Sequence, residues 1–169
     1  IAAAREETYA RPGALPDVVP SSIQKDMSRR DFTINAMALR LNQAPPELLD
    51  PYQGEADLNA RQLRILHPLS FVEDPTRVLR GARLAGRLGF SFETDTAQRA
   101  RAVLAHQRRR SGRGEAPATD ADADAAAVTL PVTVSHSRSR AELELIFEEA
   151  RVAPALSVLA ELGALDAIF

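Results

Sequence analysis

The chain has 169 residues, 45% of them apolar and 5% aromatic, enough for one domain of ordinary size or two small packed pieces. It contains no Cys, which excludes disulfides, thiol nucleophiles and Cys-ligated metals, and its three His are too widely spaced to build a zinc site. The formal net charge of −2 hides an asymmetry: residues 1–113 carry 18 basic and 13 acidic side chains, whereas residues 114–169 carry 3 and 10.

Within residues 61–113, 12 Arg face 4 acids. A guanidinium reads phosphates and base edges bidentately, so this stretch is a candidate nucleotide or RNA surface. The plainer alternative is a solvated helix face. No run approaches 18 apolar residues, so no membrane-spanning helix is expected. No charged-then-apolar export signal opens the sequence either, and a cytoplasmic protein is the expectation.

In chain order, Ile1-Ala-Ala-Ala opens without an initiator Met and reads as the start of a piece of a longer chain. Pro16, Pro20 and Ser21-Ser22 mark a loop, with Ser21 and Gln24 able to cap a helix expected over about 23–39. Residues 47–54 read as a short strand entering a turn, and residues 62–66 as a second strand joined to it. The helix over 75–88, stopped by Gly89, has the clearest pattern, and a further helix over 95–109 has Asp95 as its cap.

Residues 111–131 are Gly, Ala, Asp and Pro with little to bury, a mobile linker by composition. Within them Asp120, Asp122 and Asp124 mimic a metal-binding spacing. Ala125 and Pro131 break the calcium-loop pattern, so they read as solvating charges. Ser139-Arg-Ala-Glu142 is a capping box opening a helix to about Ala150, with Leu143, Ile146 and Phe147 on one face. A last helix is expected over 154–162, ended by Gly163.

Three segments carry candidate chemistry. In Arg29-Arg30-Asp31-Phe32-Thr33-Ile34-Asn35-Ala36, two guanidinia can clamp a triphosphate and a carboxylate can accept from a ribose hydroxyl. The local alternative pairs Asp31 with an Arg and sets Asn35 on backbone. In Glu73-Asp74-Pro75-Thr76-Arg77-Val78-Leu79-Arg80, helical spacing puts Arg77, Arg80, Arg83 and Arg87 on one stripe and Val78, Leu79, Ala82 and Ala85 opposite. Asp74 stands three residues before Arg77, close enough to act with it.

A carboxylate accepts from an amino group, while the guanidinium beside it donates to a ring nitrogen or carbonyl. Cytosine and adenine offer that pair, while guanine and uracil offer a carbonyl beside a ring N–H. Asp74 can also simply cap its helix. The third segment, Asp50-Pro51-Tyr52-Gln53-Gly54 with Asp57-Leu58 and Leu63-Arg64, reads as a β-turn joining two strands rather than a direct chemical participant.

Together these segments resemble the class II tRNA nucleotidyltransferase and bacterial poly(A) polymerase family. Residues 29–36 look like its R-R-D-F-T-I-N-A motif, residues 50–64 like D-P-x-x-G-x-x-D-L…R, and residues 73–80 like E-D-x-x-R-x-x-R. Ser137 to Phe147 is similar to S-x-x-R-x-x-x-E-L, and Gln53 stands where the family usually has Gly. The resemblance implies an α+β fold, the remnant of a palm-like nucleotidyltransferase head over 1–66 followed by an all-helical neck and body over 67–169.

It further implies that Arg30 contacts the nucleotide and Asp31 the ribose, that Asp74 and Arg77 form the template for C or A, and that Arg80 and Arg83 lie near the phosphates. The family's Gly-Gly-x-x-Arg-Asp turn and Asp-x-Asp pair, which hold Mg²⁺, are absent from this sequence. The expectation is an enzyme that adds A and/or C from ATP or CTP to a tRNA 3′ end. The run from Leu66 to Arg77 leans towards terminal A. This chain would carry no catalytic or metal-binding residue of its own and would be inactive alone. The rivals are a poly(A) polymerase and a catalytically dead RNA-binding module.

Overall fold

The computed structural model describes residues 3–8, 17–110 and 136–168. Strands β1 (Arg5–Thr8) and β2 (Asp17–Pro20) pair antiparallel, with Arg5 opposite Pro20. Helix α1 (Ile23–Ser28) follows, opened by Ser22, whose hydroxyl accepts from Lys25 N at 3.4 Å. The cap is therefore Ser22 and not Ser21.

The single long helix expected over 23–39 does not form. After Ser28 the chain passes through a 3₁₀ turn (Thr33–Asn35) into β3 (Ala38–Arg40), which pairs antiparallel with β4 (Glu47–Leu49). The cause lies far along the sequence: Phe32 bridges Ile65, and Thr33 N donates to Arg64 O at 2.9 Å. Tertiary pairing wins over a weak local propensity.

Between β4 and β5 (Gln62–Leu63) lies not a simple turn but helix α2 (Gly54–Asn59). Asp50 caps it, Oδ1 accepting from Gly54 N at 2.7 Å and Oδ2 from Glu55 N at 2.9 Å. Asp57 is buried and accepts from Thr33 Oγ1 at 2.7 Å and from Arg64 Nε at 3.1 Å. This motif thus acts as a strut that fixes the 3₁₀ turn against β5.

After α3 (Ser70–Glu73), the expected helix appears as α4 (Thr76–Leu88), ended by Gly89 at φ 69°. Its apolar side buries Val78, Leu79, Ala82 and Ala85. A short β6 (Ser91–Phe92) pairs parallel with β5, and α5 (Thr94–Arg110) follows. Asp95 is not its cap. Glu93 takes that part, accepting from the backbone N–H groups of Asp95 and Thr96 at 3.1 and 3.0 Å.

The expected linker 111–131, with its three Asp, lies outside the described residues. Helix α6 (His136–Phe147) begins before the expected capping box, and Phe147 is 59% exposed rather than packed beside the buried Ile146. Helices α7 (Val152–Glu161) and α8 (Leu165–Ile168) close the chain. α4 packs against both α6 and α7, and α5 against α3 and α8.

Among the described residues one apolar core links Phe32, Leu63 and Ile65 to Phe71, Val78, Ala82, Ile146 and Leu159. It crosses the expected boundary at 66/67 without a break. Its aromatic centre is Phe92, edge-on to Phe32 with ring centroids 6.1 Å apart. No helix among the described residues is long and apolar enough to cross a membrane.

Candidate nucleotide site

The segment after α1 and the first turn of α4 meet at a polar cavity of about 460 Å³. Arg29, Arg30, Asp31 and Asn35 line one side, and Asp74, Arg77 and Arg80 the other, with Arg138 reaching in from α6. Five guanidinia therefore face two carboxylates, an excess of positive charge suited to a polyanion.

Each side chain is held by local chemistry. Arg29 and Arg30 are anchored from behind on the buried Asp26, at 2.7 and 2.6 Å. Burial alone would raise the Asp26 carboxyl, but the hydrogen bonds from Arg30, Arg29 and the Arg5 N–H outweigh it and hold it well below the usual carboxylate range. Asp31 accepts from Phe32 N at 3.0 Å and Asn35 Nδ2 at 2.9 Å through one oxygen. Its other oxygen accepts from Arg80 Nε at 3.2 Å. Asn35 thus braces Asp31 rather than backbone.

Asp74 has two faces. Oδ1 accepts from the backbone N of Thr76 at 3.1 Å and from its hydroxyl at 2.5 Å, capping α4. Oδ2 accepts from Arg80 Nη2 at 3.2 Å and Arg138 Nη2 at 2.8 Å. Burial would raise this carboxyl too, but the Thr76 hydroxyl and the charges of Arg80, Arg138 and Arg77 outweigh it and lower it. Burial works against the charge of the Arg80 guanidinium, yet Asp74, Asp31 and Glu142 raise its pKa further. The capping and cavity-facing roles of Asp74 coexist, one on each oxygen.

Arg77 is the least accessible guanidinium of the group, only 7% exposed. Its Nη1 donates to Ser70 Oγ at 2.7 Å and Ser70 O at 3.2 Å, and its Nη2 to Arg29 O at 3.2 Å. It ties α3 and the residue after α1 to α4, and its Nε–H is buried without an acceptor among the described residues. No hydrogen bond joins it to Asp74.

Arg83 lies one turn beyond the cavity and pairs with Glu149 at 3.3 Å. Sequence reasoning thus brings Arg30, Asp31, Asp74, Arg77 and Arg80 to one place, but not Arg83. Arg29, read with Arg30 as a phosphate-clamping pair, lies there too, whereas Asn35 and Arg138 were missed as cavity residues. Asn35 sits inside the motif already singled out. Nothing local in the sequence signals Arg138.

No group of three or more His, Asp or Glu among the described residues is arranged to hold a metal ion. Both cavity carboxylates are committed to guanidinia, so this site does not fit Mg²⁺.

Residues 1–64 match the poly A polymerase head domain. The A-adding tRNA nucleotidyltransferase of Halalkalibacterium halodurans is 50% identical over 104 residues, 61% of this chain and 24% of the relative. The CC-adding tRNA nucleotidyltransferase of Deinococcus radiodurans is 50% identical over 86 residues, 50% of this chain and 23% of the relative. The solved apo form II of a CCA-adding enzyme aligns over 99% of this chain and 35% of its own, at 34% identity and a TM-score of 0.75.

Over residues 1–64 the chain matches that head domain, and over a longer span it is similar to A-adding, CC-adding and CCA-adding tRNA nucleotidyltransferases. It spans about a quarter of the length of these two curated relatives. The α+β architecture, small sheets beside a helical array, is that of the aligned CCA-adding enzyme. The two motifs at 29–36 and 73–80 form the opposite walls of the cavity.

Proposed function

We propose that this chain supplies the nucleotide-reading cavity of a template-independent RNA nucleotidyltransferase, which adds A and/or C from ATP or CTP to the 3′ end of tRNA and releases pyrophosphate. The observation that carries this reading is the convergence of Arg30, Asp31, Asp74, Arg77 and Arg80 on one cavity from two distant stretches of chain. In this reading Arg30 contacts the nucleotide, Asp31 accepts from the ribose, and Arg80 faces the phosphates. Arg83 joins them only by exchanging Glu149 for a phosphate.

Asp74 and Arg77 read the base. A carboxylate oxygen turned to the cavity accepts the amino group of cytosine or adenine, and the Arg77 guanidinium, held at rest on Ser70 and Arg29 O, turns a donor to the ring nitrogen. Guanine and uracil present a carbonyl to the carboxylate and are rejected, because an acceptor facing an acceptor leaves both unsatisfied. The match with an A-adding relative over the longer span supports a preference for terminal A.

Mg²⁺ would supply charge neutralisation on the triphosphate and activation of the 3′ hydroxyl, held by carboxylates outside this sequence. Residues 1–66 act as head and 67–169 as neck and body in this proposal, and the reaction takes place in the cytoplasm.

The test is incorporation of labelled ATP and CTP onto tRNAs ending before CCA and after CC. This chain is run beside a longer one that also carries the Asp-x-Asp strand. Expected are no incorporation by the 169-residue chain and single A addition to the CC end by the longer one. Many adenylates on a generic RNA would select a poly(A) polymerase. No incorporation by either would leave an RNA-binding module.

A further inference from the structure

We infer, resting on the reading of Arg30 as a nucleotide contact, that Asp26 is the positioning residue that presents Arg30 to the triphosphate of the incoming nucleotide. Asp26 stands behind the cavity and is not part of its lining. It lies on α1, three residues before Arg29 and four before Arg30. The helical path runs on past Ser28, for Arg29 has φ −87° and ψ −6° and Arg30 N donates to Met27 O at 3.2 Å. That turn sets the three side chains on one side.

One carboxylate then takes both guanidinia. Oδ1 accepts from Arg29 Nη2 at 2.7 Å and Nε at 3.2 Å, and Oδ2 from Arg30 Nη2 at 2.6 Å. Arg5 N, on β1, also donates to Oδ1 at 3.2 Å and fixes the carboxylate from a second element. Arg30 depends on this acceptor in a way its neighbours in the cavity do not. Asp26 is the one group among the described residues that its guanidinium bonds, and the Arg30 side chain is 45% exposed. Arg77 rests on Ser70 and on Arg29 O, and Arg80 on Asp31, Asp74 and Thr76.

A carboxylate behind a cationic site acts in two opposite ways. Its charge repels an anionic ligand, so losing it would tighten binding. Its hydrogen bonds hold the guanidinium ready, so losing them would loosen binding, because an arginine that samples many rotamers must be fixed as the ligand arrives. A phosphate on the far side of the guanidinium stands about 8 Å from the carboxylate, close to the Debye length of about 8 Å at physiological salt, so the repulsion is weakened by screening. The positioning effect is not screened and prevails. For one long side chain it corresponds to about a 3- to 10-fold gain in affinity.

The test is calorimetric titration of the 169-residue chain with inorganic triphosphate, ATP, CTP and GTP in about 0.15 M salt. The wild type is compared with Asp26→Asn, Arg30→Gln, the double variant, and Glu93→Gln. Glu93 caps α5, pairs with Arg64 and lines no part of the cavity, so its loss removes a structural carboxylate elsewhere. Expected in Asp26→Asn is a loss of about 3- to 10-fold, the same for all four ligands, since they share the phosphates. Arg30→Gln loses at least as much, and in its background Asp26→Asn adds at most about 2-fold, because Asp26 acts through Arg30. Glu93→Gln leaves the affinities unchanged.

Tighter binding in Asp26→Asn, the result of charge alone, would overturn the inference. So would a loss of the same size with and without Arg30, the mark of a carboxylate that merely supports the fold. Should Asp26→Asn fail to fold, Asp26→Glu is read in the same cycle. It keeps the charge but displaces the guanidinium by a methylene, and a loss of about 3-fold that disappears in the Arg30→Gln background is expected. No loss there would overturn the inference too. Triphosphate affinity unaltered by Arg30→Gln would instead sink the reading of Arg30 as a nucleotide contact, and the role of Asp26 with it.

Discussion

At the scale of single residues, Gln53 shows how a departure from a family pattern acquires a physical meaning. It stands where the family usually has Gly, and it adopts φ 59°, ψ 35°, the left-handed region. A side chain there costs about 1–2 kcal/mol, partly offset because Gly loses more chain entropy on folding. Gln53→Gly is therefore expected to stabilise the chain by up to about 1 kcal/mol, read as a raised urea midpoint. A lowered midpoint would show that the Gln53 side chain contributes more than its backbone costs.

The same scale shows what the sequence could reveal about the site. Asp31, Asp74, Arg77 and Arg80 were legible because each lies in a compact motif whose residue types suit nucleotide chemistry. The hydrogen bonds that differentiate them were not. Asp74 and Arg77 stand three residues apart and yet do not bond to each other, because Ser70 and Arg29 O claim the Arg77 guanidinium. Such partners come from elements whose approach only folding decides.

At the scale of elements, α4 was readable almost to the residue, since its apolar period, the Asp74-Pro75 start and the Gly89 stop all agree. The stretch after Ser28 was misread because its fate depends on pairing with residues around Ile65. The glycines of α4 could not be interpreted from sequence at all. A Cβ at Gly86 would lie 2.6 Å from Ala155 N and 2.9 Å from its Cα, so α4 and α7 touch backbone to backbone there.

An alanine at this position improves helix propensity by about 1 kcal/mol but forces the two helices apart. Overpacking of this kind costs about 1–3 kcal/mol, and here the obstacle is backbone rather than a side-chain tip. Gly86→Ala is expected to lower the thermal midpoint, and a paired Ala155→Gly substitution to recover only part of it. A Gly86→Ala chain as stable as the wild type would mean that α7 shifts freely on α4.

At the scale of the whole molecule, the split between a basic middle and an acidic end is partly an internal matter. Glu142 pairs with Arg80 at 3.4 Å, and Glu149 with Arg83 at 3.3 Å and Arg87 at 3.8 Å. The arginine stripe that reads in sequence as a solvated or RNA-facing surface is thus largely where α6 docks. What stays positive is the cavity, whose lining sets five guanidinia against the carboxylates of Asp31 and Asp74, with Asp26 and Glu142 pairing some of them from behind.

This arrangement makes the fold acid-sensitive in a definable window. Asp26 anchors Arg29 and Arg30 on one wall, and Asp74 joins α4 to Arg138 of α6 on the other. Both carboxyls titrate below their ordinary value of 3.8 in the folded chain. The unfolded chain therefore takes up these protons first as pH falls. The stability they confer is fully present above about pH 4 and drains away as pH drops through the lowered folded values. Urea midpoints should hold level from pH 7 to 5 and fall steeply between pH 4 and 2.5. The double variant Asp26→Asn, Asp74→Asn should start lower at pH 7 yet lose less across that acid interval. An acid slope identical to the wild type would assign the sensitivity to other carboxylates and leave the two walls held by packing alone.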